Sequence, residues 1–154
     1  MASYKTHTLF NLSFFLPATA LLLFYLFHPS RADLIAYSAS FVYGTLYMGP
    51  DADVADKIKL LSLRGIMSLP FRPYSKLFAH RGISHWLIIG TATRIIWLAS
   101  LLIIPYIIYK RSFSLYPLVS FYTTYKSTII YALSGLCLSD FGHLLLDIPV
   151  RGKP

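Results

Sequence analysis

Long apolar runs alternate with short polar segments along this chain, and each run approaches the length of a membrane span. A bilayer core needs about 20 mainly apolar residues per helix. The pattern therefore predicts an all-α, polytopic membrane helical bundle of about four transmembrane helices, at residues 9–27, 34–48, 86–109 and 128–148. Residues 113–122 are also apolar, but Pro117 interrupts them, so we expect an interfacial or re-entrant stretch there.

The apolar runs differ in character. The first follows Lys5 and has the outline of a signal peptide, but no small-residue cleavage pattern follows it directly. We interpret it as a retained span that Pro17 kinks. The second is short and rich in Ser, Tyr and Gly, and small residues favour close packing against other helices. The third is the most hydrophobic, although Arg94 interrupts it.

A polar loop, residues 51–85, separates the second run from the third. Its middle part, residues 58–71, mixes basic and apolar side chains in the manner of a short amphipathic helix. Two interpretations fit this pattern equally. The segment lies on the membrane surface, or it packs as a cap over the helical bundle.

The composition favours a membrane protein over a soluble one. Of the 154 residues, 56% are hydrophobic and only 13% are charged, whereas soluble domains average about 25% charged residues. The length fits a single integral-membrane domain, residues 1–154. The net charge of +8 comes from cations in short segments between the apolar runs rather than in one stripe. This distribution suits the lipid bilayer as partner, and we expect no nucleic acid partner.

The same cations predict the topology. With four spans, both termini and the loop 51–85 share one side of the membrane. That side carries nine cations and the other carries four: Lys5, Lys57, Lys59, Arg64, Arg72, Lys76, Arg81, Arg151 and Lys153, against Arg31, Lys110, Arg111 and Lys126. The positive-inside rule then places both termini and the loop in the cytoplasm.

Histidine and aspartate residues gather at this same cytoplasmic end of the spans. They are His7, Asp51, Asp53, His80, His85, His143 and Asp147. Only His28 among the five histidines falls on the opposite side. The single cysteine, Cys137, excludes an internal disulfide and a Cys-rich zinc site. Imidazole and carboxylate together suit zinc, manganese or iron.

Local spacing strengthens the metal interpretation. Asp140, His143 and Asp147 follow one another at i, i+3 and i+7, so they share one face of a helix. The carboxylates of Asp51 and Asp53 lie close in sequence after a sharp turn, and they repel each other unless a cation or a proton lies between them. Each residue also has a simpler explanation. The aspartates are good helix caps, Asp140 suits a carboxylate that orients an imidazole, and terminal or interfacial histidines are often only solvated.

Three motifs resemble those of metal-binding and metal-dependent hydrolase-like proteins of bacterial inner membranes, in particular their uncharacterised metal-binding branch. The motifs are Pro50-Asp51-Ala52-Asp53, His80-Arg81-Gly82-Ile83-Ser84-His85 and His143-Leu144-Leu145-Leu146-Asp147. The similarity extends from His7 to Asp147. It implies an inner-membrane location and a divalent metal, zinc before manganese or iron. The implied ligands are Asp51, Asp53, His80, His85, His143 and Asp147. One departure is Trp86, where the family often has Ser.

These features lead to a first hypothesis of a metal-dependent hydrolase. A metal-bound water would attack an ester or phosphoester, in a lipid or lipid-linked substrate, at the cytoplasmic face. Asp53 or Asp140 would be the general base. Arg81 and Arg94 would contact substrate phosphate, or else pair with an aspartate or reach the interface.

Two other hypotheses remain open beside it. In a non-catalytic protein, a closed structural metal site would join the helix ends. A transporter or scaffold would have ionisable residues spread across the membrane depth and, often, an internal repeat. The clustering at one end argues against that third hypothesis.

Overall fold

A computed structural model of the chain describes residues 3–49, 61–77, 86–110 and 114–147. These residues are almost entirely helical and form no strand, so the prediction of an all-α fold is confirmed for them. We name the helices in chain order as α1 (Tyr4–Phe27), α2 (Arg31–Tyr43), α3 (Leu63–Met67), α4 (Arg72–Leu77), α5 (Leu87–Lys110) and α6 (Tyr116–Asp147). A short 3₁₀ turn, Leu69–Phe71, joins α3 to α4.

Within the described parts of the chain, three helices are long and apolar enough to cross a membrane: α1, residues Ile88–Tyr109 of α5, and α6. At 24, 22 and 32 residues they are about 36, 33 and 48 Å long, against a hydrocarbon core of about 30 Å. Their outer faces leave large apolar side chains exposed, among them Tyr25, Leu102 and Ile108. The helix α2 does not reach this length and hydrophobicity, so the expected fourth span is not confirmed.

The first helix contains a widened turn. Residues Asn11–Phe15 have π-helical hydrogen bonding within the otherwise α-helical stretch. Pro17 follows directly, and a proline ring clashes with the carbonyl four residues before it, which here is Ser13. A π turn widens the backbone at that position, so the helix is irregular one turn before Pro17 rather than kinked at the proline itself. The helix ends at His28, which has a φ of 46° and donates its N–H to Phe24 O at 3.1 Å.

A buried aspartate ties the start of α2 to α6. The Ser30 hydroxyl oxygen caps α2 by accepting from the Asp33 N–H at 3.2 Å. The Asp33 carboxylate in turn accepts from the hydroxyls of Ser30, Thr128 and Ser127, at 2.8, 2.8 and 3.1 Å. This network fixes the end of the bundle that lies away from the metal-ligand candidates.

The helices α2 and α6 pack closely because small residues face one another. A Cβ at Gly135 would collide with Ser40 Oγ and Tyr37 O, and a Cβ at Gly44 would collide with Ser139 Oγ. Tyr37 is fully buried beside this contact. The Ser- and Gly-rich segment thus contacts a neighbouring helix, as its composition predicts. A second π turn, Gly44–Met48, ends this segment.

The helix α6 joins two segments that the sequence pattern separates. Its 32 residues run from Tyr116 to Asp147, with non-helical dihedral angles only at Tyr125 (φ −113°, ψ 22°). Residues 116–122 are therefore helical, and the kink at Tyr125 separates them from the second part of α6. Pro117 lies in the first turn of the helix, where its missing N–H has no intrahelical partner to lose.

The described part of the loop packs as a cap on the bundle. Phe71 and Tyr74 are fully buried and cluster with Met48. Trp97 of α5 donates its indole N–H to Pro70 O at 2.8 Å. The opposite side of the cap remains apolar and exposed, with Ile66 56% and Leu77 67% accessible. Of residues 58–71, positions 58–60 lie outside the described residues.

Candidate metal centre

The start of α1 and the end of α6 bring two histidines and one aspartate together. His7 Nε2 lies 3.5 Å from Asp147 Oδ1, and His143 Nε2 lies 3.7 Å from Asp147 Oδ2. One ligand atom from each residue falls within 4.8 Å of the other two. His7 and His143 are 4% and 8% exposed, so this cluster is removed from bulk solvent.

The two imidazoles are stacked. Their ring centroids are 3.8 Å apart and the ring planes differ by 9°. Each ring presents Nε2 toward the same carboxylate, so Asp147 lies along one edge of the stack. Donor atoms around a tetrahedral zinc ion with bonds of about 2.0–2.1 Å lie roughly 3.4 Å apart. The observed separations of 3.5 and 3.7 Å are close to that value.

Helix geometry fixes where each of these side chains points. His7 lies in the first turn of α1, and its N–H donates to Ser3 O at 3.1 Å. Ser3 also caps the helix by accepting from the Thr6 N–H at 3.2 Å. His143 and Asp147 are one turn apart at the end of α6, so both project from the same side of that helix.

Two polar atoms of the cluster are buried without a hydrogen bond among the described residues. They are His7 Nδ1 and Asp147 Oδ1. Buried polar atoms are nearly always satisfied, and an unsatisfied one indicates a bound water or an ion. The two oxygens of Asp147 each lie near one imidazole nitrogen, Oδ1 near His7 Nε2 and Oδ2 near His143 Nε2, and this donor set suits a divalent cation. The residues present therefore fit a metal ion.

A buried ion pair lies one helical turn before His143. Arg94 Nη2 of α5 is 2.5 Å from Asp140 Oδ2, and the Thr91 hydroxyl donates to the same oxygen. Arg94 also donates to Met48 O at 2.6 Å. Arg94 is 1% exposed and Asp140 is 3% exposed, so neither charge reaches water. The pair thus ties the end of the π turn after α2 to both α5 and α6.

A buried amide ties α1 to the same region. Asn11 is 1% exposed, and its Nδ2 donates to Ser139 O at 2.9 Å and to Thr45 Oγ1 at 3.3 Å. Gly142 leaves the room for this amide, because a Cβ there would collide with Asn11 Oδ1. This contact fixes the position of α1 along the axis of α6, and so places His7 at the level of His143.

The sequence-predicted site residues divide into those that the structure describes and those beyond it. His7, His143 and Asp147 converge. Arg94 and Asp140 form a neighbouring ion pair, with the Asp140 carboxylate turned toward α5 rather than into the histidine cluster. Five positions lie outside the described residues: Asp51, Asp53, His80, Arg81 and His85.

Sequence reasoning assigned no role to Asn11 or to Thr91 at this end of the bundle. Each is a polar residue inside an apolar run, 1% and 2% exposed, and an uncharged polar side chain in a membrane helix often bonds to a neighbouring helix. That signal is present in the sequence for both positions. It does not identify the partner.

Comparison with known proteins gives one positive finding. Residues 2–152 match the model of a protein family described as uncharacterized metal-binding protein (DUF2227). No curated protein matches the chain, and no solved structure matches it.

Proposed function

The chain belongs to the DUF2227 family of uncharacterized metal-binding proteins, and from this premise we propose that its metal lies where α1 begins and α6 ends. His7 and His143 would bind through Nε2, and Asp147 through its carboxylate. The observation that carries the proposal is the convergence of these donors, within 4.8 Å of one another, around a buried carboxylate oxygen that lacks a hydrogen bond.

Further ligands are proposed in the two segments that join this end of the bundle: Asp51, His80 and His85, with Asp53 as a fourth only if it is not the general base. Arg94 holds Met48 O at 2.6 Å and Asp140 at 2.5 Å, and Asp140 precedes His143 by three residues. Asp51 follows Met48 by three residues, a length of chain that reaches at most about 11 Å. Imidazole with carboxylate favours zinc first, with manganese and iron as alternatives.

The membrane placement completes the proposal. The helices α1, α5 and α6 would span the inner membrane of a bacterium, and α2 with its π turn, packed against α6, would make the return crossing between α1 and α5. Both termini and the metal site would face the cytoplasm, on the side that carries more cations. The cap formed by α3 and α4 would contact lipid headgroups through its exposed apolar side chains, such as Ile66 and Leu77.

Chelator competition measures whether these ligands bind the ion. Zn²⁺ affinity of the detergent-purified protein should fall by at least about tenfold in each of His7→Ala, His143→Ala and Asp147→Asn, because a zinc site needs all of its protein donors. His28→Asn is the matched control, since His28 is exposed at the opposite end and Asn tolerates its positive φ. Affinities equal to the wild-type value in all three variants would refute the ligand set.

A metal-dependent hydrolase is the finer version of this proposal. It requires that the complete ligand set leave one coordination position open, as the three protein donors of catalytic zinc sites do. A bound ion would supply a water of lowered pKa at that position. Asp53 is then the preferred general base and Arg81 the preferred contact for substrate phosphate, because the Asp140 and Arg94 side chains engage each other.

Turnover separates this version from a structural metal site. The zinc-loaded protein in lipid nanodiscs should release product from ester or phosphodiester substrates, including lipid-linked ones, and Asp53→Asn should lose turnover while retaining zinc. If the loaded protein cleaves none of them, and zinc removal only lowers its melting temperature, the metal is structural.

A further inference from the structure

An unsatisfied acceptor lies one helical turn from the unsatisfied nitrogen of His7. Asn11 Oδ1 is buried without a hydrogen bond among the described residues, as is His7 Nδ1. The Asn11 backbone N–H donates to His7 O, which places the two residues in consecutive turns of α1. Residues four apart on a helix share a face. Two buried polar atoms without partners therefore lie on one side of the same helix.

Their chemistry is complementary. Both hydrogens of the Asn11 amide nitrogen have acceptors, Ser139 O and Thr45 Oγ1. The amide cannot rotate by half a turn without placing its oxygen against the Ser139 carbonyl oxygen, so Oδ1 remains a pure acceptor. An imidazole that binds metal through Nε2 carries its hydrogen on Nδ1 and is a donor there.

We infer that Asn11 is a positioning residue for His7. Through one buried water, its Oδ1 accepts a hydrogen bond from His7 Nδ1–H and holds His7 in the tautomer whose Nε2 is free to bind a metal ion. Metal-binding histidines commonly donate their second N–H to a fixed acceptor, which sets ring orientation and ligand basicity. The inference rests on the proposed role of His7 as a ligand.

Two substitutions at this position separate positioning from packing. Asn11→Asp keeps an acceptor for His7 Nδ1–H but loses both amide donors, whereas Asn11→Ala loses the acceptor and both donors. Zn²⁺ affinity should fall by about 10–100-fold in Asn11→Ala and by clearly less in Asn11→Asp. Folding stability should follow the opposite order, because the carboxylate introduced by Asn11→Asp would face the Ser139 carbonyl oxygen. Thr19→Val, which removes a half-buried hydroxyl farther along α1, should leave zinc affinity unchanged.

The tautomer is a second readout that needs no metal. In ¹⁵N-histidine NMR spectra of the metal-free protein, the Asp147 carboxylate competes for a proton on His7 Nε2. The fraction of His7 that carries its proton on Nδ1 should nevertheless be lower in Asn11→Ala than in the wild type and in Asn11→Asp. Gly142→Ala, which forces the Asn11 amide away, should act like Asn11→Ala. Gly135→Ala introduces a similar clash elsewhere on α6 and should leave the His7 spectrum unchanged.

The possible results separate a failure of the Asn11 inference from a failure of the proposed metal site. An unchanged His7 tautomer in Asn11→Ala and Gly142→Ala, or zinc affinity at least as low in Asn11→Asp as in Asn11→Ala, overturns the inference and leaves Asn11 as a packing residue. If His7→Ala binds zinc as the wild type does, His7 is not a ligand and the proposed site fails. The tautomer measurement then still decides whether Asn11 orients His7.

Discussion

Removing one charge of the Arg94–Asp140 pair should destabilise the protein strongly. Asp140→Asn keeps the size of the side chain but leaves the Arg94 guanidinium without a counter-charge, at a position that is 1% exposed. Its remaining acceptors would be the neutral carbonyls of Met48 and Gly90, at 2.6 and 2.9 Å, and the amide oxygen of the new residue. Neutral acceptors solvate a buried cation less well than a carboxylate does.

The expected cost is about 3–5 kcal/mol, because removing one partner of a buried ion pair leaves an uncompensated charge. Arg94→Met should cost a similar amount, since it strands Asp140 and removes the donor to the Met48 carbonyl. The double variant should cost no more than the larger single change, because neither charge then remains to be buried. The coupling energy of the cycle would reach roughly 3 kcal/mol.

Reversible unfolding in mixed detergent micelles, followed by far-ultraviolet circular dichroism, gives the four free energies of unfolding that the cycle needs. Arg31→Met is the control, because Arg31 is exposed at the start of α2 and its loss should change stability by less than about 0.5 kcal/mol. A cost below about 1 kcal/mol for Asp140→Asn, the range of an exposed pair, would show that water reaches Arg94 and would refute the reasoning.

Three further predictions concern packing and pH. Gly135→Ala should destabilise the protein by about 1–3 kcal/mol in the same unfolding assay, because the new methyl overpacks the contact with Ser40; stability equal to wild type would contradict the close approach of α2 and α6. Trp97→Phe should cost about 0.5–1.5 kcal/mol through the lost bond to Pro70 O. Because Trp86 is exposed, the contact is checked in a Trp86→Phe background, where a solvent-exposed indole emission from Trp97 would contradict it. The hydroxyls of Ser30 and of α6 hold the pKa of Asp33 below its ordinary value. The wild type should therefore be more stable than Asp33→Asn by a constant amount above about pH 5, and this difference should disappear as pH falls below about 4. A stability difference that grows on acidification would contradict the lowered pKa.

The helical architecture was readable from the sequence because membrane spans are defined by length and hydrophobicity. Residues 9–27 and 86–109 fall within α1 and α5 nearly end to end. The sequence also predicts a division between residues 113–122 and 128–148, and the kink at Tyr125 lies between these two segments. Sequence alone does not reveal that the helix begins at Tyr116 and that the proline costs nothing there.

The candidate site was predictable as a location but not as a set of contacts. Counting spans places His7 at the same end as His143 and Asp147, whatever the details of packing. It does not separate Asp140 from them, because residues at i and i+3 differ by only about 60° around a helix. Two helices pack against this side of α6, and each contacts a different residue: α5 contacts Asp140, and α1 contacts His143. That assignment depends on tertiary packing, as does the placement of Asn11.

X-ray absorption at the zinc edge of the detergent-purified, zinc-loaded protein tests the central claim most directly. The account predicts imidazole nitrogen and carboxylate oxygen donors at about 2.0–2.1 Å, with one imidazole fewer in His7→Ala and likewise in His143→Ala. A spectrum with the wild-type number of imidazoles in both variants would contradict it, and so would sulfur scattering that disappears in Cys137→Ser.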